Sequence, residues 1–424
     1  MTNAALWRMC GQAVTARLIV ASLCAFAPQA VLAEDGVTAD TVLIGQSAAF
    51  SGPSAGLGVE LWRGAQAYFS QLNASGGVHG RKVIVATLDD KYDPALSLPH
   101  TIDFLVKQKV FALFGYVGTP TLVKALPALQ KFADQNVFLF SNFTGAQPQR
   151  QPPFSRFVFN IRPSYRQETE KLVDNFVRVG RRRVGVFFQN DAYGRSGLTG
   201  SNMALAKHKL AVVAEATYPR GASAQDSMAQ QVEIMRRSGV DAIISIGAYA
   251  AAAAFVRDLR AAGLSVPVAN VSFVGPDAFL EFLQRLSKDA GTDLTRQLIV
   301  SQVVPPWSDV SVPLVREYRD AMRNGPPGLP PLAVSGEYKP SDLSFGGLEG
   351  FLNAKMFTEI LRRSTAALTR KGFLAAAESI QDLDVGLAET VSFSADDHDG
   401  LSTVYCTTIK DGAYTYLTNW GDFK

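Results

Sequence analysis

The chain has 424 residues, 47% of them hydrophobic and 19% charged, with 41 basic against 38 acidic side chains. That composition describes a folded globular protein too long for one core, so two domains are expected. A charge this close to balance excludes a binder of polyanions such as nucleic acid.

Residues 1–33 carry Arg8 and Arg17 as their only charges, an apolar run from 18 to 27, and Val31-Leu32-Ala33 just ahead of Glu34 and Asp35. This is the pattern of an export signal cleaved after Ala33, which predicts a periplasmic mature protein. The apolar run is shorter than the about 20 residues a membrane span needs, and Pro28 follows it. Lipidation at Cys24 would want a small residue before it, and Leu23 stands there. Cys10 and Cys24 leave with the signal, so Cys406 is expected to be alone, with no disulfide and a fold held by its cores.

From Thr38 onward short apolar runs alternate with helical spacing. A buried strand is predicted over 42–47, then a helix whose apolar face is Leu61, Ala65, Tyr68, Phe69 and Leu72, stopped by Asn73-Ala74-Ser75-Gly76-Gly77. A strand over 82–88, a helix over 94–108, a strand over 110–115, a helix over 121–135 and a strand over 137–140 follow. This βαβαβαβ order predicts a parallel sheet covered by helices. The alternation restarts after Arg162-Pro163 with a helix carrying Leu172, Val173, Phe176 and Val177, then a strand over 184–188. Next come a helix after Gly200, a strand over 211–217, a helix over 228–237, a strand over 241–246, a helix over 250–262 and a strand over 266–271. Between the first helix and strand of this series, Arg181, Arg182 and Arg183 read as a solvated turn. A strand over 298–304, helices over 312–322 and 348–363, and a β-rich stretch over 391–418 with a turn at Asp411-Gly412 remain. Chain left over after two sheets predicts more than one crossing between domains.

Several segments resemble those of the periplasmic solute-binding proteins of ABC importers, branched-chain amino acid type. They are Gln46-Ser47-Ala48-Ala49-Phe50-Ser51-Gly52-Pro53, Asn73 through Arg81, Asp89-Asp90 with Asp93-Pro94, and Asn190-Asp191-Ala192-Tyr193-Gly194. The resemblance covers nearly all of the mature chain. It implies an α/β fold of two doubly wound, Rossmann-like lobes joined by a three-crossover hinge, the type I arrangement. One lobe would be 37–161 plus 305–384, the other 162–304 plus 385–424. It further implies a small-molecule solute, a membrane permease as partner, a monomer, no nucleic acid, no cofactor, no metal and no enzymatic activity.

By the same resemblance Thr119, Asn142 and Thr144 bind the solute's carboxylate, each in a loop after a strand end where helix N-termini and amides hold anions. The competing reading makes them helix caps and turns. Tyr193 and Tyr249 are implied to close over the solute from the other lobe; otherwise they pack on their own loops. Tyr165 and Phe345 are candidates for either site or core, and Ser51, Leu57 and Ser272 complete the set. Two departures count against an α-amino acid. The acidic residue that pairs with an ammonium falls near Val271 or Ser272, with Asp277 the nearest acid, and the family's first-loop tyrosine is replaced by Leu57. A carboxylate or amide with an aliphatic or aromatic body fits better. The cysteine pair of some relatives falls at Tyr92 and Gly118, both lost together.

Two rivals stand beside this reading. Gly52-Pro53-Ser54-Ala55-Gly56 matches G-x-S-x-G, and Asp396-Asp397-His398-Asp399 would supply an acid and a histidine for a secreted serine hydrolase using Ser54. An elbow serine must sit at its strand end, however, and Ser54 follows several residues later. A ligand-sensing module for a receptor would use the same cleft and be marked by a tethered signalling domain. His79, His100, His208 and His398 show no paired metal spacing, and Asp89, Asp90 and Asp93 lack the closing glutamate of a calcium loop.

Overall fold

The computed structural model describes residues 34–334, 336 and 338–424. The predicted export signal, with Cys10 and Cys24, lies outside the described residues. The chain runs β1 (Thr41–Ala48), α1 (Ala55–Ala74), β2 (Lys82–Asp89), α2 (Pro94–Ile102), β3 (Ala112–Phe114), α3 (Thr119–Lys131), β4 (Leu139–Phe140) and β5 (Val158–Phe159). These strands form one parallel sheet in the order β2-β1-β3-β4-β5.

It continues through α4 (Tyr165–Arg178), β6 (Val184–Gln189), α5 (Ala192–Lys207), β7 (Ala214–Tyr218), α6 (Ala229–Arg237), β8 (Ala242–Ile246), α7 (Tyr249–Ala261), β9 (Val268–Asn270), α8 (Pro276–Ala290) and β10 (Leu298–Gln302). After α9 (Pro313–Asn324), α10 (Phe345–Arg363) and α11 (Arg370–Glu378) come β11 (Tyr405–Lys410) and β12 (Ala413–Tyr416). The second sheet has the order β12-β11-β10-β9-β8-β6-β7. Its members β6 to β10 are parallel, and β11 and β12 add antiparallel to the edge. The turn at Asp411-Gly412 has φ of +49° and +74° at its two residues, the backbone that a two-residue hairpin demands.

Strands such as β6, β8 and β10 are buried along their whole length, as a sheet covered on both faces requires. The late helices return to the first sheet. A Cβ at Gly64 of α1 would collide with the Gly347 carbonyl of α10, and one at Gly350 with that of Leu61, so only small residues let these two helices approach. Phe373 of α11 stacks on Phe138 at 4.7 Å, under the same sheet.

Several elements differ from the sequence expectation. Helix α5 starts at Ala192, well before Gly200, because Asp191 accepts the Tyr193 N–H at 2.9 Å and caps it. Its glycines serve close packing, since a Cβ at Gly197 would sit 2.6 Å from Ile246 Cγ2. After Ile102 the continuous helix expected to residue 108 becomes a π-helical turn, Asp103–Lys107. Helices α8 and α11 and strand β5 had no counterpart in the sequence reading. The first opens on Gly275 in a left-handed conformation followed by Pro276.

Candidate functional site

Each sheet reverses its strand order beside its first-used strand: β1 lies between β2 and β3, and β6 between β7 and β8. Crevices outside the carboxyl ends of strands at such points are where open α/β sheets hold ligands. Here the two sets of loops face one another and meet.

On the first-sheet side, Thr119 opens α3 and Thr144 lies in the loop after β4. Both are buried, and their hydroxyls are 2.6 Å apart. Facing them from the second-sheet side, Tyr165 opens α4, which packs on β8 and β10, behind a capping box made by Ser164 and Gln167. Its hydroxyl is buried without a hydrogen bond of good geometry. Burial pushes its pKa up, and Arg162, Thr144 and Thr119 pull it back to about 12.

On the second-sheet side the dominant feature is aromatic. Phe273 sits in the short 3-10 turn Ser272–Val274 after β9, fully buried. Its ring meets those of Tyr193 at 4.7 Å, Phe143 at 5.5 Å and Tyr92 at 5.9 Å. Phe143 and Tyr92 come from first-sheet loops, so the rings close the crevice from both sides. The Tyr92 hydroxyl accepts a bond from Gln189 Nε2 at 3.3 Å across the same gap.

Beneath the rings lies a buried ion cluster. Arg162 pairs with Glu168 of α4 at 3.6 Å and Glu349 of α10 at 3.4 Å, and it donates to the Ser272 hydroxyl. Glu168 also receives the Ser272 N–H at 2.8 Å and the Ser301 hydroxyl at 2.7 Å. Burial outweighs the pull of Arg162 on Glu349 and pushes that acid up to about 7. The Nε and Nη1 of Arg162 make no hydrogen bond, and the guanidinium lies 4.8 Å over the Phe143 ring.

A second polar contact joins the two sides further out. Asp277 of α8 accepts from Trp307 Nε1 at 2.9 Å and from the Phe345 N–H that starts α10 at 2.7 Å. Burial pushes Asp277 up to about 7. The Gly56 N–H donates to the Tyr249 hydroxyl at 3.2 Å. Leu57, Glu60, Phe143, Tyr249, Asp277 and Tyr338 line a cavity of ≈ 20 Å³ here, room for roughly one water. Glu60 is held by Tyr338, Ser341 and Ser344 at 2.8–3.1 Å.

Residues 41–413 match the family model described as periplasmic binding protein. The chain belongs to that family. Among solved structures it is similar to a possible leucine/isoleucine/valine-binding protein from Rhodopirellula baltica SH 1, with a TM-score of 0.79, 30% identity, and coverage of 91% of this chain and 99% of that one. Among curated relatives it is 23% identical over 225 residues to an "Amino acid binding protein" of Pseudomonas aeruginosa, a match taking in 53% of this chain and 58% of that protein. It is 23% identical over 297 residues to the Leu/Ile/Val-binding protein homolog 1 of Brucella suis biovar 1, covering 69% of this chain and 75% of that one. The fold is thus that of a type I periplasmic binding protein, with the two sheets as its two lobes.

Within this binding-protein fold, Thr119, Thr144, Tyr165 and Tyr193 come together around Phe273, and Ser272 is its chain neighbour. Leu57 and Tyr249 line the outer cavity instead. Ser51 donates to Asp89 Oδ2 at 2.5 Å, and Asn142 is engaged with Asn160 at 2.8 Å and Gln149 at 3.4 Å, so both side chains are spent on neighbours of the first sheet. Phe345 packs on Tyr414 at 5.5 Å and contributes its backbone to the Asp277 contact. The sequence reading missed Phe273, Arg162, Glu168 and Glu349. Arg162 was visible only as the start of a new series, and nothing in its spacing brings Glu349 to it. Tyr92 and Gly118, where some relatives carry cysteines, do lie together: a Cβ on Gly118 would collide with the Tyr92 ring.

Ser54 precedes α1, six residues after β1 ends. None of the histidines bonds it: His100 is with Ser47, His79 with the Leu361 and Ser364 carbonyls, His208 with Asp174, and His398 with Ser155 and Glu378. Among the described residues, no group of three or more His, Cys, Asp or Glu side chains is placed to hold a metal ion.

Proposed function

We propose that this protein is an extracytoplasmic receptor, not an enzyme, that captures a small organic carboxylate between its lobes and delivers it to the permease of an ABC importer. The lobes would be 37–161 plus 305–384 and 162–304 plus 385–424. The observation that carries the reading is the Thr119–Thr144 hydroxyl pair beside the buried Tyr165 hydroxyl, with Thr119 and Tyr165 at the first turns of α3 and α4. Three hydroxyls and two helix N-termini make a site for an anion. Tyr165 and Tyr193 reach the same site from the second lobe, with Tyr249 at the outer contact, so a bound solute would add contacts to both sides. Only such differential contact drives closure. Export across the inner membrane and action as a monomer belong to the same proposal.

A thermal-shift screen of the mature protein against amino acids, aromatic acids, short fatty acids and their amides tests it. The expected result is stabilisation by one class of acid, lost when its carboxylate is esterified. Stabilisation that survives esterification, or labelling of Ser54 by a fluorophosphonate, would contradict it.

A further inference from the structure

Phe273 meets rings from both sides of the inner compartment. Besides Tyr193, Phe143 and Tyr92, Tyr165 approaches it edge-on at 6.5 Å. Centroid separations of this size are those of favourable aromatic packing, so the four surrounding rings form a box complementary to a phenyl group. The segment that carries Phe273 is short. It is pinned on one side by Ser272 on Glu168 and bounded on the other by Gly275 at φ +74°. Phe273 is therefore carried by a three-residue turn and not by a helix or strand of the lobe's core.

The polar groups beside the box say what accompanies a ring there. The Tyr165 hydroxyl and Arg162 Nε are buried without a hydrogen bond of good geometry, while Arg162 Nη1 is ion-paired with Glu349 at 3.4 Å, and a buried group short of partners costs stability unless something meets it. Of the nearby acids, Glu168 is filled by Arg162, Ser272 and Ser301, and Glu349, whose Oε1 makes no hydrogen bond, is ion-paired with Arg162 at 3.4 Å. A carboxylate can accept from the Tyr165 hydroxyl here, whereas an ammonium would have to compete with Arg162 for Glu349.

We propose that the box is an aryl-ring subsite and that Phe273 is its displaceable occupant. The solute is an aromatic monocarboxylate without an α-ammonium, whose ring replaces that of Phe273 among Tyr92, Phe143, Tyr165 and Tyr193. This rests on the reading of Thr119 and Thr144 as the carboxylate-binding pair. Phe273 thereby sets both affinity and selectivity, because every ligand must first evict it.

The test is calorimetric titration of the mature wild-type protein, Phe273→Leu and Phe273→Ala with phenylacetate, L-phenylalanine and toluene. Phenylacetate affinity is expected to rise from wild type through Phe273→Leu to Phe273→Ala, at least tenfold in total. L-phenylalanine should bind at least tenfold more weakly than phenylacetate, and toluene should bind Phe273→Ala alone, as an apolar ligand enters an engineered apolar cavity. Phe273→Leu keeps a large apolar side chain, so the trend is readable even if Phe273→Ala fails to fold. Phenylacetate affinity that falls or stays level across the series would make Phe273 a fixed wall and overturn the proposal while leaving the carboxylate reading intact. Toluene uptake by Phe273→Ala with no phenylacetate binding to any of the three would uphold the box and overturn the carboxylate reading.

Discussion

The two places where the lobes meet are built from opposite chemistry. The inner one is a cluster of aromatic rings over a buried arginine, with its polar atoms short of partners. The outer one, around Asp277, is polar and satisfied: both oxygens of Asp277 accept bonds, as do both of Glu60. Partnerless groups are a cost that a ligand can relieve, whereas a satisfied network stabilises whichever geometry completes it. The inner contact is therefore suited to recognition and the outer one to latching the closed form.

Breaking the ion cluster under the rings should have the largest effect. Arg162→Ala leaves Glu168 and Glu349 buried without a cation and is expected to cost about 3 to 5 kcal/mol of stability, read by urea unfolding. A smaller loss would mean that protonation of Glu349, already pushed to about 7, absorbs the change.

Next comes the pH dependence of the latch. Asp277 faces Glu60, Tyr318, Tyr338 and Tyr414, and its pKa is raised to about 7 by burial. An acid raised in the folded form contributes stability that is fully present below its unfolded pKa and is lost as pH rises through 7. Asp90 and Glu349 are raised to about 7 as well. Stability should therefore climb as pH falls from 7.5 to 5, by about 1.4 kcal/mol per pH unit for each proton taken up. Asp277→Asn should flatten that slope by one proton's worth. An unchanged slope in thermal unfolding across this window would remove Asp277 from the account.

The hydroxyl pair is next in size. Thr119→Ala or Thr144→Ala should weaken binding of a carboxylate by about 1 to 3 kcal/mol in calorimetry. The smallest effect is expected at Tyr249→Phe, which removes the acceptor for the Gly56 N–H and should cost about 0.5 to 1.5 kcal/mol of affinity. If Tyr249→Phe proved worse than either threonine change, recognition and latching would be assigned to the wrong compartments.

Much of the fold was legible because parallel strands buried on both faces are continuous apolar runs, as in Ala242–Ile246 and Leu298–Gln302. Helix α5 was misplaced at its start because its glycines, which allow close contact with Ile246 and Thr169, also read as breaks. At the candidate site, the threonines and tyrosines were named because the family resemblance implies them in loops after strand ends. Arg162, Glu168, Glu349 and Phe273 could not, since their roles depend on contacts across 80 to 187 positions of chain. Such contacts exist only once the crossovers have folded, and no local spacing encodes them.

Capture by closure is the central claim, and small-angle scattering of the mature protein with and without the solute found by screening tests it most directly. The account predicts a smaller radius of gyration with solute, and a reduced change in Tyr193→Ala. A tight solute that leaves an open, ligand-free scattering profile unchanged would contradict it.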